Sequence, residues 1–208
     1  QRKELAMLAE LTQKLKTAYS FETVRVEYGP GLYFPYFNHE DHSDTLAPLR
    51  ELAPDLGALA ERCELTIEMG RFFASECGAY LTRVIDTKVN CGTAYAILDG
   101  GIHHVNYLGG NMGMRVPIIR QSSVREGEMQ PWALCGSLCT TADVLVRKAE
   151  LHPLDQGDIL AFMNIGAYSV TEGPALFLSR DMPSIILHGK GGDRLARGAV
   201  HSWELNHE

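Results

Sequence analysis

Two cysteines lie four residues apart in the segment CGSLCTTAD, residues 135–143, among small and hydroxyl-bearing residues. Thiols at this spacing could be half of a metal site, a disulfide, or one reactive thiol beside a structural one. Zinc needs four ligands, and no second pair of matching spacing accompanies this one. Five cysteines at irregular spacing do not predict a disulfide framework either. Cys139, in a loop with Thr140 and Asp143, is the candidate for a presented thiol; two buried structural thiols are the alternative.

Two further motifs follow short predicted strands, where ligand loops are common in parallel sheets. The first is YGPG at 28–31, in which a glycine-rich turn lets backbone N–H groups approach an anion such as a phosphate. The second is EMGR at 68–71, which places a carboxylate and a guanidinium around a glycine. Arg71 could pair with a phosphate while Glu68 pairs with a protonated ring nitrogen. The alternatives are a purely structural turn and a surface ion pair.

Two motifs of the second half are weaker signals. DGGIHH at 99–104 suggests a metal site, but adjacent histidines on a strand point to opposite faces, so we expect no metal there and one histidine lining a pocket. GAYS at 166–169 places Tyr168 in a glycine-led turn, where it either covers the β core or presents its hydroxyl to an anion.

The elements that must position these residues change in character along the chain. Apolar spacing predicts helices over 2–19 and 44–62, the second with Asp44 as N-cap and two prolines that could divide it. Alternating residues predict strands over 23–29 and 63–71, which gives the rhythm of a parallel sheet. Beyond about Gly78 the apolar runs are short and β-rich. These runs cover 79–89, 93–101, 115–122, 158–164 and 183–189. The predicted fold class is α/β plus all-β.

Composition excludes several classes of protein. With 208 residues, 45% hydrophobic and 22% charged, the chain has an ordinary globular composition. A net charge of -7 without a basic cluster argues against a nucleic-acid partner. We find no apolar run long enough for a membrane span and no signal peptide, so the expected compartment is the cytoplasm, where thiols stay reduced.

The order of the motifs resembles the fold-type III pyridoxal-phosphate decarboxylases of ornithine, diaminopimelate and arginine. That order is a glycine-rich loop, Glu-x-Gly-Arg, Asp-Gly-Gly, Gly-x-x-Cys, Gly-Asp and Gly-Ala-Tyr, and all six occur here across residues 20–190. The resemblance implies that residues 1–77 are the C-terminal part of an alanine-racemase-like (β/α)8 barrel. It also implies that residues 78–208 are the C-terminal β domain, a β-barrel or β-sandwich.

The same resemblance implies a pyridoxal 5'-phosphate cofactor and a role for each motif. Cys139 would be the catalytic thiol, acting from one subunit of a homodimer into the active site of its partner. Asp99 and Thr140 would lie on the substrate side, and Pro30 replaces the middle glycine of the family's phosphate loop. Glu68 would keep the pyridine nitrogen protonated, while Arg71 and Tyr168 would contact the phosphate. The cofactor-binding set is Gly29, Gly31, Glu68, Gly70, Arg71 and Tyr168.

Departures from the family pattern limit what this chain is expected to do alone. The lysine that forms a Schiff base with the cofactor lies in an early barrel segment that has no counterpart here, so we expect a C-terminal portion, inactive without the missing N-terminal barrel half. Thr140 stands where diaminopimelate enzymes carry an acidic residue, and their substrate-binding arginine after Asp-Gly-Gly is replaced by IHHVNYLGGNMGM, residues 102–114. This pattern resembles decarboxylases of carrier-bound or conjugated amino acids. A non-catalytic regulatory homologue on this fold and an unrelated β-domain binding protein are the alternatives.

Overall fold

The computed structural model describes residues 1–107 and 115–206. The described residues form three α-helices, ten strands and three short 3₁₀ turns. The helices are α1 (Arg2–Tyr19), α2 (Ala47–Ala60) and α3 (Gly70–Ala74). The strands are β1 (Arg25–Tyr28), β2 (Glu64–Ile67), β3 (Ala79–Asn90), β4 (Thr93–Leu98), β5 (Ile119–Gln121), β6 (Gln130–Cys135), β7 (Val144–Leu151), β8 (Ile159–Met163), β9 (Ile185–Gly189) and β10 (Gly192–Arg197). The 3₁₀ turns are Ser75–Cys77, Phe177–Ser179 and Ser202–Asn206.

The chain divides into two compact units, the first made of residues 1–35 and 40–75. In this unit β1 and β2 pair in parallel, as the alternation of helix and strand predicts. Apolar side chains of α1, α2, β1 and β2 form its core. The buried members are Leu5, Tyr28, Leu52, Leu56 and Leu59. Helix spacing and strand alternation therefore converge on a single hydrophobic cluster.

Two predicted boundaries in the first unit are wrong. Asp44 is not the N-cap of α2, because the helix begins at Ala47, with Pro48 in its first turn, where a missing N–H costs nothing. The second predicted strand ends at Ile67 rather than Arg71. Its partner β1 runs into Gly29 and Pro30, and proline has no N–H with which to continue the ladder. Residues 70–74 form helix α3 instead.

The second unit, residues 36–39 and 76–208, is built on a six-stranded sheet with strand order β5-β8-β3-β4-β6-β7. The pairs are antiparallel except β4 with β6, which is parallel. Strand β3 reaches β4 through Cys91 and Gly92, both with positive φ, as a two-residue hairpin turn requires. Alternate residues of the central strands are buried and form the core of this unit. They include Val84, Leu98, Leu134, Leu145, Leu160 and Phe162.

The predicted fold class, α/β plus all-β, is confirmed. Strands β6, β7 and β10 were not predicted: β6 carries Pro131 near its start, and β7 has adjacent charged residues, Arg147 and Lys148, that interrupt alternation. The assignment of residues 1–77 and 78–208 to a barrel portion and a β domain stays a prediction. Within the described ranges, no helix has the length and apolar character needed to cross a bilayer.

Candidate functional site

The glycine loop and Glu68 lie side by side at the carboxyl ends of β1 and β2. Tyr28 and Ile67, the last residues of the two strands, are paired in register. The Glu68 N–H donates to the Tyr28 carbonyl oxygen at 3.0 Å, and a Cβ on Gly29 would lie 3.4 Å from the Glu68 carbonyl oxygen. Because β1 and β2 are parallel, both motifs lie at the same edge of the sheet, as the sequence predicts.

The loop between residues 29 and 31 has a backbone that favours glycine at its end. Gly31 has φ +58, in the left-handed region that costs other residues about 1 kcal/mol or more. The Pro30 carbonyl accepts a hydrogen bond from Gln1 Nε2 at 3.1 Å. Pro30 itself offers no N–H, so any anion bound here receives one backbone donor fewer than a glycine would provide.

Glu68 has a carboxylate neighbour that the sequence analysis did not single out. Glu27 precedes Tyr28 on β1, and its side chain is hydrogen-bonded to that of Glu68. This hydrogen bond, and the repulsion between the two charges, raise the pKa of Glu68 above its ordinary value. Both carboxyl groups are exposed at the strand ends. Strand alternation places Glu27 on the face opposite Val26 and Tyr28, and this alternation is the sequence signal that could have identified Glu27.

Gly70 and Arg71 lie on helix α3 and not on a strand, which corrects the predicted continuation of β2. Gly70 begins the helix and Arg71 lies in its first turn, two and three residues beyond Glu68. The Arg71 side chain is half-buried. The Glu-x-Gly-Arg motif is thus a strand end followed directly by a short helix.

Two loops of the second unit leave the same edge of the six-stranded sheet. Strands β4 and β6 pair in parallel, with Ile97 opposite Cys135, so their carboxyl ends coincide. We name residues 99–104 the Asp99 turn and residues 136–143 the Cys139 loop. The first contains Asp-Gly-Gly and the second contains the candidate thiol.

Ser137 joins these two loops directly. Its N–H donates to the Gly100 carbonyl oxygen at 2.8 Å, and its Oγ donates to the Asp99 carbonyl oxygen at 3.0 Å. The Ser137 carbonyl in turn accepts a hydrogen bond from Arg180 at 2.8 Å. Motifs that are separated by about forty residues in the sequence are therefore in contact.

The two cysteines of the opening motif have different environments. Cys139 is exposed, whereas Cys135, the last residue of β6, is half-buried. Burial, with a smaller contribution from the Asp143 carboxylate, raises the pKa of the Cys135 thiol. Thr140, beside Cys139, accepts a hydrogen bond from the Ala142 N–H at its Oγ1, 3.2 Å away. Of the two thiols, Cys139 is the one that solvent and small ligands reach.

Asp99 is partly engaged within the sheet. Its Oδ1 accepts hydrogen bonds from Thr82 Oγ1 at 2.6 Å and from the Arg83 N–H at 2.9 Å. These bonds join the end of β4 to β3. The predicted substrate role of Asp99, which stays a prediction, would fall to its other oxygen, Oδ2.

The adjacent histidines lie in a turn, which corrects the assumption that they belong to a strand. Their rings are 4.0 Å apart, because a turn, unlike a strand, does not separate neighbours onto opposite faces. His103 is 2% exposed, and burial lowers its pKa to about 4. His104 Nε2 donates to the Asp181 carbonyl oxygen at 2.7 Å, so its Nδ1 accepts from the Tyr80 hydroxyl at 2.9 Å. Burial lowers the pKa of His104 as well.

Tyr168 occupies a strained turn and is 53% exposed. Its φ is +64, which is uncommon for a residue with a bulky side chain. Hydrogen bonds to its carbonyl oxygen from the N–H groups of Thr171 and Glu172, and from Thr171 Oγ1, hold the turn. The phosphate contact expected of its hydroxyl stays a prediction.

The predicted site residues fall into two sets, one in each unit. The first unit carries Gly29, Gly31, Glu68, Gly70 and Arg71; the second carries Asp99, Cys139, Thr140 and Tyr168. Among residues 1–107 and 115–206, no three His, Cys, Asp or Glu side chains are grouped so as to hold a metal ion. Of the segment that follows Asp-Gly-Gly, residues 102–114, the part from 108 to 114 lies outside the described residues.

The family of this chain follows from a comparison with known proteins. A family model described as pyridoxal-dependent decarboxylase, C-terminal sheet domain, matches residues 19–166, which is most of the chain. The chain belongs to this decarboxylase family. The resemblance inferred from the order of the motifs is thereby confirmed.

Individual relatives of this family member differ in substrate. An L-glutamyl-[BtrI acyl-carrier protein] decarboxylase of Niallia circulans is 28% identical over 199 residues, 90% of this chain and 46% of that protein. A diaminopimelate decarboxylase of Methanocaldococcus jannaschii is 26% identical over 202 residues, 94% of this chain and 43% of that protein. The crystal structure of a diaminopimelate decarboxylase from M. jannaschii with L-lysine has the same fold, with a TM-score of 0.83 and 22% identity. The match covers 99% of this chain and 47% of that one. The chain thus spans about half the length of the relatives that it matches.

Proposed function

We propose that this chain is the C-terminal portion of a pyridoxal-phosphate-dependent amino-acid α-decarboxylase. The observation that carries the proposal is the arrangement of the strand ends in the first unit. There the Gly29–Gly31 loop and Glu68 emerge together from β1 and β2, in a chain of the pyridoxal-dependent decarboxylase family. A glycine loop suits a phosphate, and a carboxylate beside it suits a protonated pyridine nitrogen.

Each unit of this chain carries groups that suit the cofactor. The pair formed by Glu27 and Glu68, in which one carboxyl group raises the pKa of the other, attracts a cationic group such as a pyridinium N–H. In the first unit Arg71 supplies a cation suited to a phosphate, and in the second unit the Tyr168 hydroxyl supplies a hydrogen-bond donor. When bound, pyridoxal phosphate supplies an electron sink for the carbon that loses its carboxylate. The residues of this chain would orient the ring, hold the phosphate and keep the ring nitrogen protonated.

Cys139 is proposed to return a proton to the carbon from which CO₂ departs. The C–C bond to the carboxylate breaks, CO₂ leaves, and a proton from the thiol takes its place. An exposed thiol in a well-fixed loop suits this role better than the half-buried Cys135. As in the family resemblance, the proposal includes a homodimer in which Cys139 of one subunit acts in the site of the other. It also includes a cytoplasmic setting, which keeps the thiol reduced.

The proposal also includes a preceding barrel segment that carries the cofactor lysine. Its support is the length of the relatives, since this chain covers 46% of the Niallia circulans protein and 43% of the M. jannaschii enzyme. The activity, and the substrate below, are therefore assigned to the protein that contains this chain together with that segment.

A free amino acid of the diaminopimelate or ornithine type is the first candidate substrate. An amino acid without a free distal charge, such as a carrier-bound glutamyl group, is the second. Ile102, His103 and His104 follow Asp-Gly-Gly. Burial lowers the pKa of both histidines, so none of the three residues supplies a positive charge at neutral pH. Thr140 supplies no charge either. A distal carboxylate or ammonium group would find no counter-charge at these positions, whereas an uncharged conjugate needs none. The relative from Niallia circulans, named for a glutamyl-carrier substrate, supports this candidate.

The cofactor assignment is tested by visible absorption of the protein with its preceding segment, titrated with pyridoxal phosphate. We expect a visible band that saturates at one cofactor per chain. Glu68→Gln should shift the band and its pH dependence, because an amide does not keep the ring nitrogen protonated. Glu61→Gln, an exposed glutamate at the end of α2, is the matched control and should leave the spectrum unchanged. Absence of any band from the wild-type protein would refute the assignment.

The reaction and the substrate are tested together by CO₂ release from a panel. The panel contains meso-diaminopimelate, L-ornithine, L-arginine, L-lysine and an L-glutamyl thioester of an acyl-carrier protein. Preference for the thioester would favour the second candidate, and preference for a free diamino acid would exclude it. Cofactor binding without CO₂ release from any of them would favour a non-catalytic regulatory homologue.

A further inference from the structure

Asp143 is a buried acid that none of the assigned roles uses. It is 2% exposed and closes the Cys139 loop immediately before β7. A carboxyl group removed from water requires hydrogen-bond donors, and the cost of leaving it without them is large. The hydrogen-bond donors to the Asp143 carboxylate therefore indicate its role.

Both carboxylate oxygens of Asp143 accept backbone N–H groups, and they come from different loops. Oδ1 accepts from the Ile102 N–H of the Asp99 turn at 2.8 Å. Oδ2 accepts from the Leu138 N–H of the Cys139 loop, also at 2.8 Å. Leu138 is the residue before Cys139, so this bond fixes the backbone that leads to the thiol.

Two glycines make room for this carboxylate. A Cβ on Gly101 would lie 2.6 Å from Asp143 Oδ1 and would overlap Oδ2, and a Cβ on Gly136 would overlap both oxygens. The second glycine of Asp-Gly-Gly and the glycine after Cys135 are therefore explained by one side chain. The Asp143 main chain adds a third link, since its carbonyl accepts from the Gly136 N–H at 2.9 Å.

We propose that Asp143 is a positioning residue, which holds the Cys139 loop against the Asp99 turn and so sets where the Cys139 thiol points. The rest of the loop is closed by its own short bonds: the Thr140 N–H donates to the Leu138 carbonyl oxygen at 2.8 Å, and the Asp143 N–H donates to that of Thr140 at 3.2 Å. Cys139 therefore lies between Leu138 and Thr140, whose backbones are both hydrogen-bonded to Asp143. The functional part of this proposal rests on the proposed decarboxylase role; the structural part does not.

The test uses the complete protein and the Asp143→Asn variant, which keeps the shape of the side chain and one acceptor. Its amide NH₂ faces a backbone N–H, so one of the two hydrogen bonds is lost. We expect faster hydrogen exchange at the Leu138 or Ile102 amide. We also expect an altered rate of Cys139 alkylation relative to the exposed Cys77, read by mass spectrometry of the peptides. Ser137→Ala, which removes only the bond to the Asp99 carbonyl, is the matched control and should leave the exchange of the Leu138 and Ile102 amides at the wild-type rate.

Kinetics separate positioning from a general loss of stability. Asp143→Asn should lower kcat about 10- to 100-fold with little change in KM, because displacing a catalytic group by about 1 Å has effects of this order. In a Cys139→Ala background, Asp143→Asn should cause no further decrease in kcat. A merely structural defect would lower kcat in both backgrounds. An equal loss of kcat in both backgrounds would overturn the functional part.

The remaining outcomes are decided by measurements that do not need activity. If Asp143→Asn does not fold, the wild-type protein still tests the link, since the Leu138 and Ile102 amides should be protected and should open with the same free energy. Exchange of either amide at the rate of an exposed loop would overturn the proposal. If the wild-type holoenzyme releases no CO₂, the proposed function fails, while alkylation and exchange still decide the role of Asp143 in holding the loop.

Discussion

Gly100 is expected to be intolerant of even a methyl group, because the buried Tyr80–His104 hydrogen bond passes over its Cα. A Cβ there would overlap the Tyr80 hydroxyl, lie 2.9 Å from Tyr80 Cζ and lie 2.8 Å from His104 Nδ1. Tyr80 is 8% exposed, and burial raises the pKa of its hydroxyl well above the ordinary value, so it is a neutral donor. Gly100→Ala must therefore displace the ring and break the bond.

The cost has two parts that can be estimated separately. Crowding a packed core with an extra methyl group costs about 1–3 kcal/mol. Leaving the buried His104 Nδ1 without its donor costs about 1–3 kcal/mol. Together they predict that Gly100→Ala lowers the free energy of unfolding by roughly 4 kcal/mol, and Tyr80→Phe alone by about 2 kcal/mol. Both are large against a typical total of about 5–15 kcal/mol.

The double variant provides the decisive measurement. In a Tyr80→Phe background the hydrogen bond is already absent, so Gly100→Ala should cost at least ~1 kcal/mol less than it does in the wild type. Urea unfolding followed by Trp132 fluorescence reports on this unit, because Trp132 is buried in β6; Trp203→Phe removes the other tryptophan signal. Gly198→Ala, in open space with no positive φ, should be within about 0.5 kcal/mol of the wild type. Additive effects of Gly100→Ala and Tyr80→Phe would refute the contact on which the reasoning depends.

Three further predictions concern ionisable groups. Arg125 binds both oxygens of Asp158, at 3.0 and 2.9 Å, and lowers the pKa of that carboxyl below 3.8. Arg125→Met should therefore lower the free energy of unfolding by its full amount above pH 3.8. This difference from the wild type should vanish as the pH falls through the lowered pKa of the folded state, as measured by urea titrations at each pH. Burial raises the pKa of Tyr28 from 10.0 to about 12, so the wild type should lose stability between these pH values, and Tyr28→Phe should not show that loss in alkaline unfolding curves. Iodoacetamide at pH 8 should modify the exposed Cys139 several-fold faster than Cys135, whose pKa burial raises; equal rates in a peptide map would contradict the environments described here.

Much of the candidate site could be predicted from the sequence because its residues lie where strands end. The glycine loop and Glu68 follow strands whose alternation is readable, and parallel neighbours bring their ends together without further information. Gly70 and Arg71 were assigned to the wrong element, because the end of β2 is decided by the partner strand, where Pro30 stops the ladder. A pairing partner is a property of the sheet and not of the segment, so no local pattern shows it.

Sequence alone determined the order of the motifs, the change from alternating helices and strands to short β-rich segments near Gly78 and, through the motif order, the resemblance to the family. These depend on residue type and spacing, which are local. The tertiary structure decided why the glycines of Asp-Gly-Gly are glycines: the first leaves space for the Tyr80 hydroxyl and the second for the Asp143 carboxylate. It also decided that His103 and His104 lie together in a turn rather than on opposite faces of a strand. The two glycine assignments depend on which atoms approach across about 20 to 40 residues of chain. Close packing, unlike periodicity, leaves no pattern in the sequence.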